Sequence, residues 1–133
     1  MENAKQIFDG LIQTTISTAL LADAIDLYAD QEIHDDVERD EFREKYSEEQ
    51  YEPIIRKAVL DVVVAVVAAH KTQDESSFKL IVDMLDVEEQ DDVVRKMKIA
   101  MLQKMVDDAA GDMPDEDEQR FRNRMALVQS QIG

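Results

Sequence analysis

The sequence predicts an all-α fold, a compact bundle of five to six helices around one buried central helix at about 48–71. Three observations carry that prediction. Apolar residues recur at three- and four-residue intervals through most of the chain. Acids repeatedly stand four residues ahead of bases, the favourable orientation for an ion pair on a helix. Only three glycines and two prolines are present to interrupt a helix. At 133 residues and 44% hydrophobic composition, one core suffices, and 1–133 reads as a single helical domain.

Asn3 and Gln6 have capping-box spacing, and Ile7, Phe8, Leu11, Ile12, Ile16, Ala19, Leu20, Ala24, Ile25 and Tyr28 continue at helical intervals, so a first helix is expected over 3–30. A short acidic helix follows over about 35–45. Its apolar edge of Val37, Phe42 and Tyr46 is thin, which places it on the surface. Ser47 and Gln50 repeat the capping-box spacing and Pro53 suits a first turn, so the next helix is expected over 48–71. Its run from Val62 to Ala69 is apolar on nearly every face, which implies burial on several sides. The rival is a buried strand, because valine is β-branched, but the chain offers that strand no partner. Asp61 interrupts the apolar run. With Lys57 one turn before it and Ala65 one turn after, it reads as part of a narrow exposed or small-residue stripe.

Thr72 and Glu75 again have capping-box spacing, and Phe78, Ile81, Met84 and Leu85 line a shorter helix that stops near Asp86. The acids Asp91 and Asp92 suit the positive end of the following helix, which carries Val93, Val94, Met97, Met101, Met105 and Val106 along one side as far as Gly111. The methionine stripe reads as core. Pro114 opens the last helix, with Phe121, Met125, Leu127, Val128 and Ile132 as its apolar positions. Eight acid-to-base pairs fit this register: Asp35–Arg39, Glu41–Lys45, Glu52–Arg56, Glu75–Lys79, Asp91–Arg95, Asp92–Lys96, Glu116–Arg120 and Glu118–Arg122. Each contributes only about 0.2–0.5 kcal/mol, so the pairs testify to helical register more than they stabilise it.

Charge bounds the function. A net charge of −16 repels nucleic-acid phosphate and anionic headgroups, which excludes direct nucleic-acid binding. The longest apolar run is too short to span a bilayer, so no membrane contact is expected. Cysteine is absent, removing disulfides, thiolate metal sites and cysteine nucleophiles and favouring a cytoplasmic location. The amino-terminal residues Met1 to Gln6 carry no apolar leader.

Catalytic chemistry finds little material. The two histidines, His34 and His70, lie in different segments, the serines have no nucleophile motif, and Gly10, Gly111 and Gly133 form no phosphate loop. A calcium loop begun at Asp107 would put Ala109 and Gly111 at ligand positions and Asp112 where the turn glycine belongs. His34 with Asp30, Glu38 and Glu41 could share a helical face, but an acid four residues from a histidine is expected by chance in so acidic a stretch. No catalytic residue, metal ligand or cofactor is assigned, and the chain is read as not an enzyme.

Two acidic stretches outrun their structural uses. Residues 30–52 hold eleven acids against Arg39, Arg43 and Lys45, and residues 107–118 hold seven acids and no base. The main expectation is a small non-enzymatic adaptor, regulator or assembly factor that meets another protein with a basic surface. The alternatives are a nucleic-acid-mimicking inhibitor and a helical metal-binding protein. The candidate partner-binding residues are Asp23, Asp26, Asp30, Glu32, Asp35, Asp36, Asp40 and Glu44, and mimicry requires them to align as an exposed two-row track. The bases Arg95, Lys96, Lys98, Lys104, Arg120, Arg122 and Arg124 could instead meet the acids of a second copy, so a homo-oligomer is possible. In composition the chain resembles the nucleic-acid-mimicking inhibitors and small acidic adaptors often made by viruses, and no motif identifies one.

Overall fold

The computed structural model describes residues 3–133. Met1 and Glu2, part of the amino-terminal stretch read above as carrying no leader, lie outside the described residues. Among the described residues the chain forms α1 (Ala4–Leu11), α2 (Thr18–Glu32), α3 (Asp36–Tyr46), a 3-10 turn (Glu49–Tyr51), α4 (Glu52–Lys71), α5 (Glu75–Leu85), α6 (Asp92–Ala110) and α7 (Asp115–Ile132). No strand forms among them. The all-α class therefore holds, with seven α-helices where five to six were expected. No helix among the described residues is long and apolar enough to cross a membrane.

The additional helix arises because the predicted 3–30 helix is two. Its start is as expected, since Asn3 Oδ1 accepts from the Gln6 N–H at 2.9 Å and Gln6 Oε1 accepts from the Asn3 N–H at 3.0 Å. Three forces then break it. The run Thr14, Thr15, Ile16 is β-branched and disfavours helix. Ile16 is buried, and its carbonyl accepts from Arg56 Nη1 of α4 at 2.5 Å instead of from the next turn. Ser17 Oγ accepts from the Leu20 N–H at 3.2 Å and begins α2 afresh.

Two other predicted caps go to different residues. Ser47 donates its hydroxyl to Arg43 O at 2.6 Å and so closes α3. Gln50 bonds Glu48 instead, and α4 starts after the 3-10 turn with Pro53 in its first turn. Thr72 closes α4, its N–H donating to Ala68 O at 2.9 Å, while Asp74 Oδ2 accepts from the Ser77 N–H at 2.9 Å and caps α5. In both places the serine or threonine still belongs to the preceding helix, which sequence spacing alone does not reveal. Hydrogen bonding from the Ser77 backbone, then from its hydroxyl, holds the Asp74 carboxyl below its ordinary value.

Helix α4 packs against α1, α2, α5, α6 and α7, and α6 packs against α2, α4 and α7. Ile55, Val59, Val62 and Ala65 of α4 meet Phe78 and Ile81 of α5, Met97 and Leu102 of α6, and Phe121, Met125 and Val128 of α7 in one apolar cluster. Burying each larger side chain contributes about 1.5–3 kcal/mol, and this cluster is what the charged surface encloses. Helix α3 packs beside α2 and buries no residue, in line with its thin apolar edge.

Among the described residues, three charged ones occupy the interior. Asp61, expected on an exposed or small-residue stripe, is 2% exposed. Lys57 Nζ, a turn earlier, reaches its two oxygens at 2.7 and 2.9 Å, and the equally buried Lys98 Nζ reaches Oδ2 at 3.1 Å. Lys98 also donates to Val87 O at 3.1 Å and lies 3.4 Å from Glu89 Oε2, which ties α6 to α4 and to the α5–α6 connection. Arg124, also 2% exposed, takes the carbonyls of Ala69 at 2.9 Å, Thr72 at 2.7 Å and Gln73 at 3.3 Å, and Glu75 Oε1 at 2.6 Å. Its guanidinium carbon lies 5.1 Å from the Phe78 ring centroid. A side chain of α7 thus satisfies the orphan carbonyls at the end of α4.

Candidate docking face

On α2, Asp23, Asp26 and Asp30 are three and four residues apart and lie along one stripe. On α3, Asp36, Asp40 and Glu44 recur every fourth residue and form a second. The two helices pack side by side, and Arg43 stands between the rows. Its Nε donates to Asp26 Oδ1 at 2.8 Å, Nη2 to Asp30 Oδ1 at 3.0 Å, and Nη1 lies 3.4 Å from Asp40 Oδ1. One guanidinium holds three carboxylates from two helices, so the surrounding negative field is only partly cancelled.

Six of the eight candidate acids therefore form the two rows, and two serve elsewhere. Glu32 faces α6, 4.0 Å from Lys96 Nζ, and Asp35 Oδ2 caps α3 by accepting from the Glu38 N–H at 3.0 Å. Asp36 pairs with Arg39. Of the three bases of α3, Arg39 and Arg43 are half-buried and Lys45 is exposed, as are Asp36, Glu38, Asp40, Glu41 and Glu44. Val37 stands among these acids at 64% exposure.

Beneath α3 runs a ladder of half-buried aromatic rings that sequence spacing did not disclose. Tyr28 and Phe42 stack with centroids 4.8 Å apart, Phe42 and Tyr46 lie at 4.5 Å, and Tyr46 and Tyr51 at 4.7 Å. Such pairs contribute about 0.5–1.5 kcal/mol each beyond area burial, so the ladder anchors a helix that has no buried residue of its own. Lys45 Nζ sits 5.4 Å from the Tyr46 centroid and 6.0 Å from that of Tyr51. Burial pushes the Tyr28 and Tyr46 hydroxyls above the ordinary phenol value, against the opposing pull of Lys96 and of Lys45 respectively.

Of the bases expected as patches on the last two helices, two leave the surface and the other five each stand beside an acid of their own helix. Lys98 and Arg124 are buried, Arg95 pairs with Asp92, and Lys96 lies 3.7 Å from Asp92. Lys104 lies 3.6 Å from Asp108, Arg120 is 3.4 Å from Asp117, and Arg122 reaches Glu118 at 3.3 Å and Asp107 at 3.5 Å. Of the eight expected helical pairs, Glu52–Arg56, Asp92–Lys96 and Glu118–Arg122 form. At Arg39, Arg95 and Arg120 the base chooses an acid three residues back, and Glu75 gives its carboxylate to Arg124.

His34 and His70 are both exposed, and His70 meets Phe121 edge-on at 6.4 Å. Among the described residues no three His, Asp or Glu side chains come together in a form that could hold a metal ion. Of the methionine stripe, Met97 and Met101 are buried as expected, whereas Met105 is only half-buried. No family model matches the chain, and no curated protein and no solved structure matches it.

Proposed function

We propose that this protein is a small, non-enzymatic helical adaptor or regulator that docks its α2–α3 face on a basic surface of another protein, with α4 as the inner axis of the bundle that holds the face rigid. The observation that carries this reading is the orientation of charge on α3. Arg43 is drawn across to Asp26 and Asp30 of α2, while Asp36, Glu38, Asp40, Glu41 and Glu44 of α3 stand exposed beside the α2 row. Because most bases of the chain are committed to internal pairs, the complementary charge is better supplied by a different protein than by a second copy. Exposed Val37 adds an apolar contact in the middle of the acids.

The test is capture of partners from the native cell with wild-type protein and with Asp23→Asn/Asp36→Asn/Asp40→Asn/Glu44→Gln, at low and high salt. Long-range attraction between exposed charges is screened within about 8–10 Å at physiological salt, so the partner is released as salt rises and is not retained by the variant. A partner held equally by the variant removes the reading. Helical circular dichroism of the variant checks that the fold survives.

The alignment of six acids in two rows favours a second reading, mimicry of nucleic acid, in which carboxylates take the place of phosphates in a basic cleft. In that case the captured partner is a nucleic-acid-binding protein, and duplex or single-stranded nucleic acid competes for it. A partner that ignores such competitors leaves the adaptor reading alone.

A further inference from the structure

Helices α2 and α6 leave a groove of about 180 Å³ between them. Its apolar walls are Leu20 and Leu27 of α2 and Met101 and Met105 of α6. Leu20, Leu27 and Met105 are half-buried, so the walls are open to a visitor. The methionine stripe thus begins in the core at Met97 and emerges at the surface at Met105, and unbranched, polarisable side chains there can adapt to an apolar group of varied shape.

The rim supplies the second half of the chemistry. Asp23, Lys104 and Asp108 complete the lining, and Lys104 lies 3.6 Å from Asp108, which leaves the Asp23 carboxylate without an ion-pair partner among the described residues. Asp23 is also the first acid of the α2 row that continues through Asp26 and Asp30. The apolar slot and the acid row are therefore continuous along one helix. The larger grooves along α6 and α7 lack this pairing, because Gln103, Gln129 and Ser130 line them and Asp107 and Arg122 meet each other at 3.5 Å.

Resting on the acidic-face reading, we infer that the α2–α6 groove is the anchor pocket of that docking surface and takes a leucine-like side chain of an amphipathic basic helix, whose flanking lysines or arginines run along Asp23, Asp26 and Asp30. The occupant follows from charge complementarity. An acidic or neutral segment would face the unpaired Asp23 and the row beyond it, whereas a basic amphipathic helix satisfies the slot and the row together.

Two synthetic helical peptides test this, one with a leucine stripe between lysines and one with serines in place of the leucines, each titrated into the full chain with methyl NMR and fluorescence anisotropy. The leucine peptide shifts the methyl signals of Leu20, Leu27, Met101 and Met105 and binds about tenfold or more tightly than the serine peptide, since an apolar anchor of this size is worth at least that factor. Met105→Lys, at a half-exposed site, lowers the leucine peptide's affinity towards that of the serine peptide, and Leu27→Ser does the same should Met105→Lys disturb folding. Equal affinities for the two peptides, or methyl shifts confined to Leu102 and Met125 in the α6–α7 groove, overturn the anchor pocket while leaving the acidic face standing. Binding that ignores both salt and Asp26→Asn/Asp30→Asn, yet still fails in Met105→Lys, removes the acidic-face reading and with it the basic flanks assigned to the occupant.

Discussion

Lys98 of α6 and Asp61 of α4, each 2% exposed, meet at 3.1 Å inside the bundle. Taking such a pair out of water is costly, and it persists because every charge has further partners: Lys57 on Asp61, and Val87 O and Glu89 on Lys98. Removing one member is therefore far worse than removing both. Asp61→Leu and Lys98→Met are each expected to destabilise by about 3 kcal/mol, and the double variant to be no less stable than either single one. Denaturant unfolding followed by circular dichroism measures all three, and single variants within about 0.5 kcal/mol of wild type would contradict the account.

Arg124→Lys keeps the charge but loses the fork that serves three carbonyls and Glu75 at once. The expected cost is about 2–3 kcal/mol, with Arg124→Met costing at least as much because the α4 terminus then has buried, unpaired carbonyls. Amide exchange resolves the mechanism: protection falls first in the last turn of α4 and the first turn of α5. A loss of stability spread evenly over all helices would argue against this cap.

Thr72 supplies its carbonyl to Arg124, but its buried hydroxyl has no hydrogen-bond partner among the described residues. Thr72→Val retains the shape and removes the orphan, so it is expected to be neutral or stabilising by up to about 1 kcal/mol. A clearly destabilised variant on thermal melting would show that the hydroxyl has a role.

Asp86 ends α5 with φ of 53°, in the left-handed region that costs a residue with a Cβ about 1 kcal/mol. Asp86→Gly is expected to stabilise by up to about that amount, reduced by glycine's greater freedom in the unfolded chain. A melting temperature below that of wild type would contradict the expectation.

The stability of the chain depends on pH at both ends of the scale. The Tyr28 and Tyr46 hydroxyls sit above 10.0 in the folded protein because burial disfavours phenolate, so their contribution is complete below the unfolded value and is lost as pH rises through the raised one. Tyr28→Phe and Tyr46→Phe should each delay alkaline unfolding, and the phenolate absorbance of the native protein should lag that of the unfolded chain. The Asp74 carboxyl sits below 3.8, so its contribution is present above that value and disappears as pH falls through the depressed one. Asp74→Asn, which can still cap α5 through its amide oxygen, should flatten the acid limb and give up the charge-dependent part of the contribution at neutral pH.

What the sequence determined by itself was the local order. Periodicity, Pro53, Pro114 and the acids at 91 and 92 place most of the helices, because a helix is decided by residues within one or two turns of each other. The two acid rows were also legible, since their members recur at helical spacing. Three things waited for the tertiary structure. The break at 12–17 depends on Ile16 entering the core and on Arg56, forty residues away, taking its carbonyl. The interior charges were invisible because Lys98 finds Asp61 across 37 positions and Arg124 finds Glu75 across 49, distances over which no local pattern carries information. Which acids remain available outside was settled only when Arg43, Lys96 and Lys104 had chosen their partners, since a carboxylate's freedom is a property of its neighbours in space.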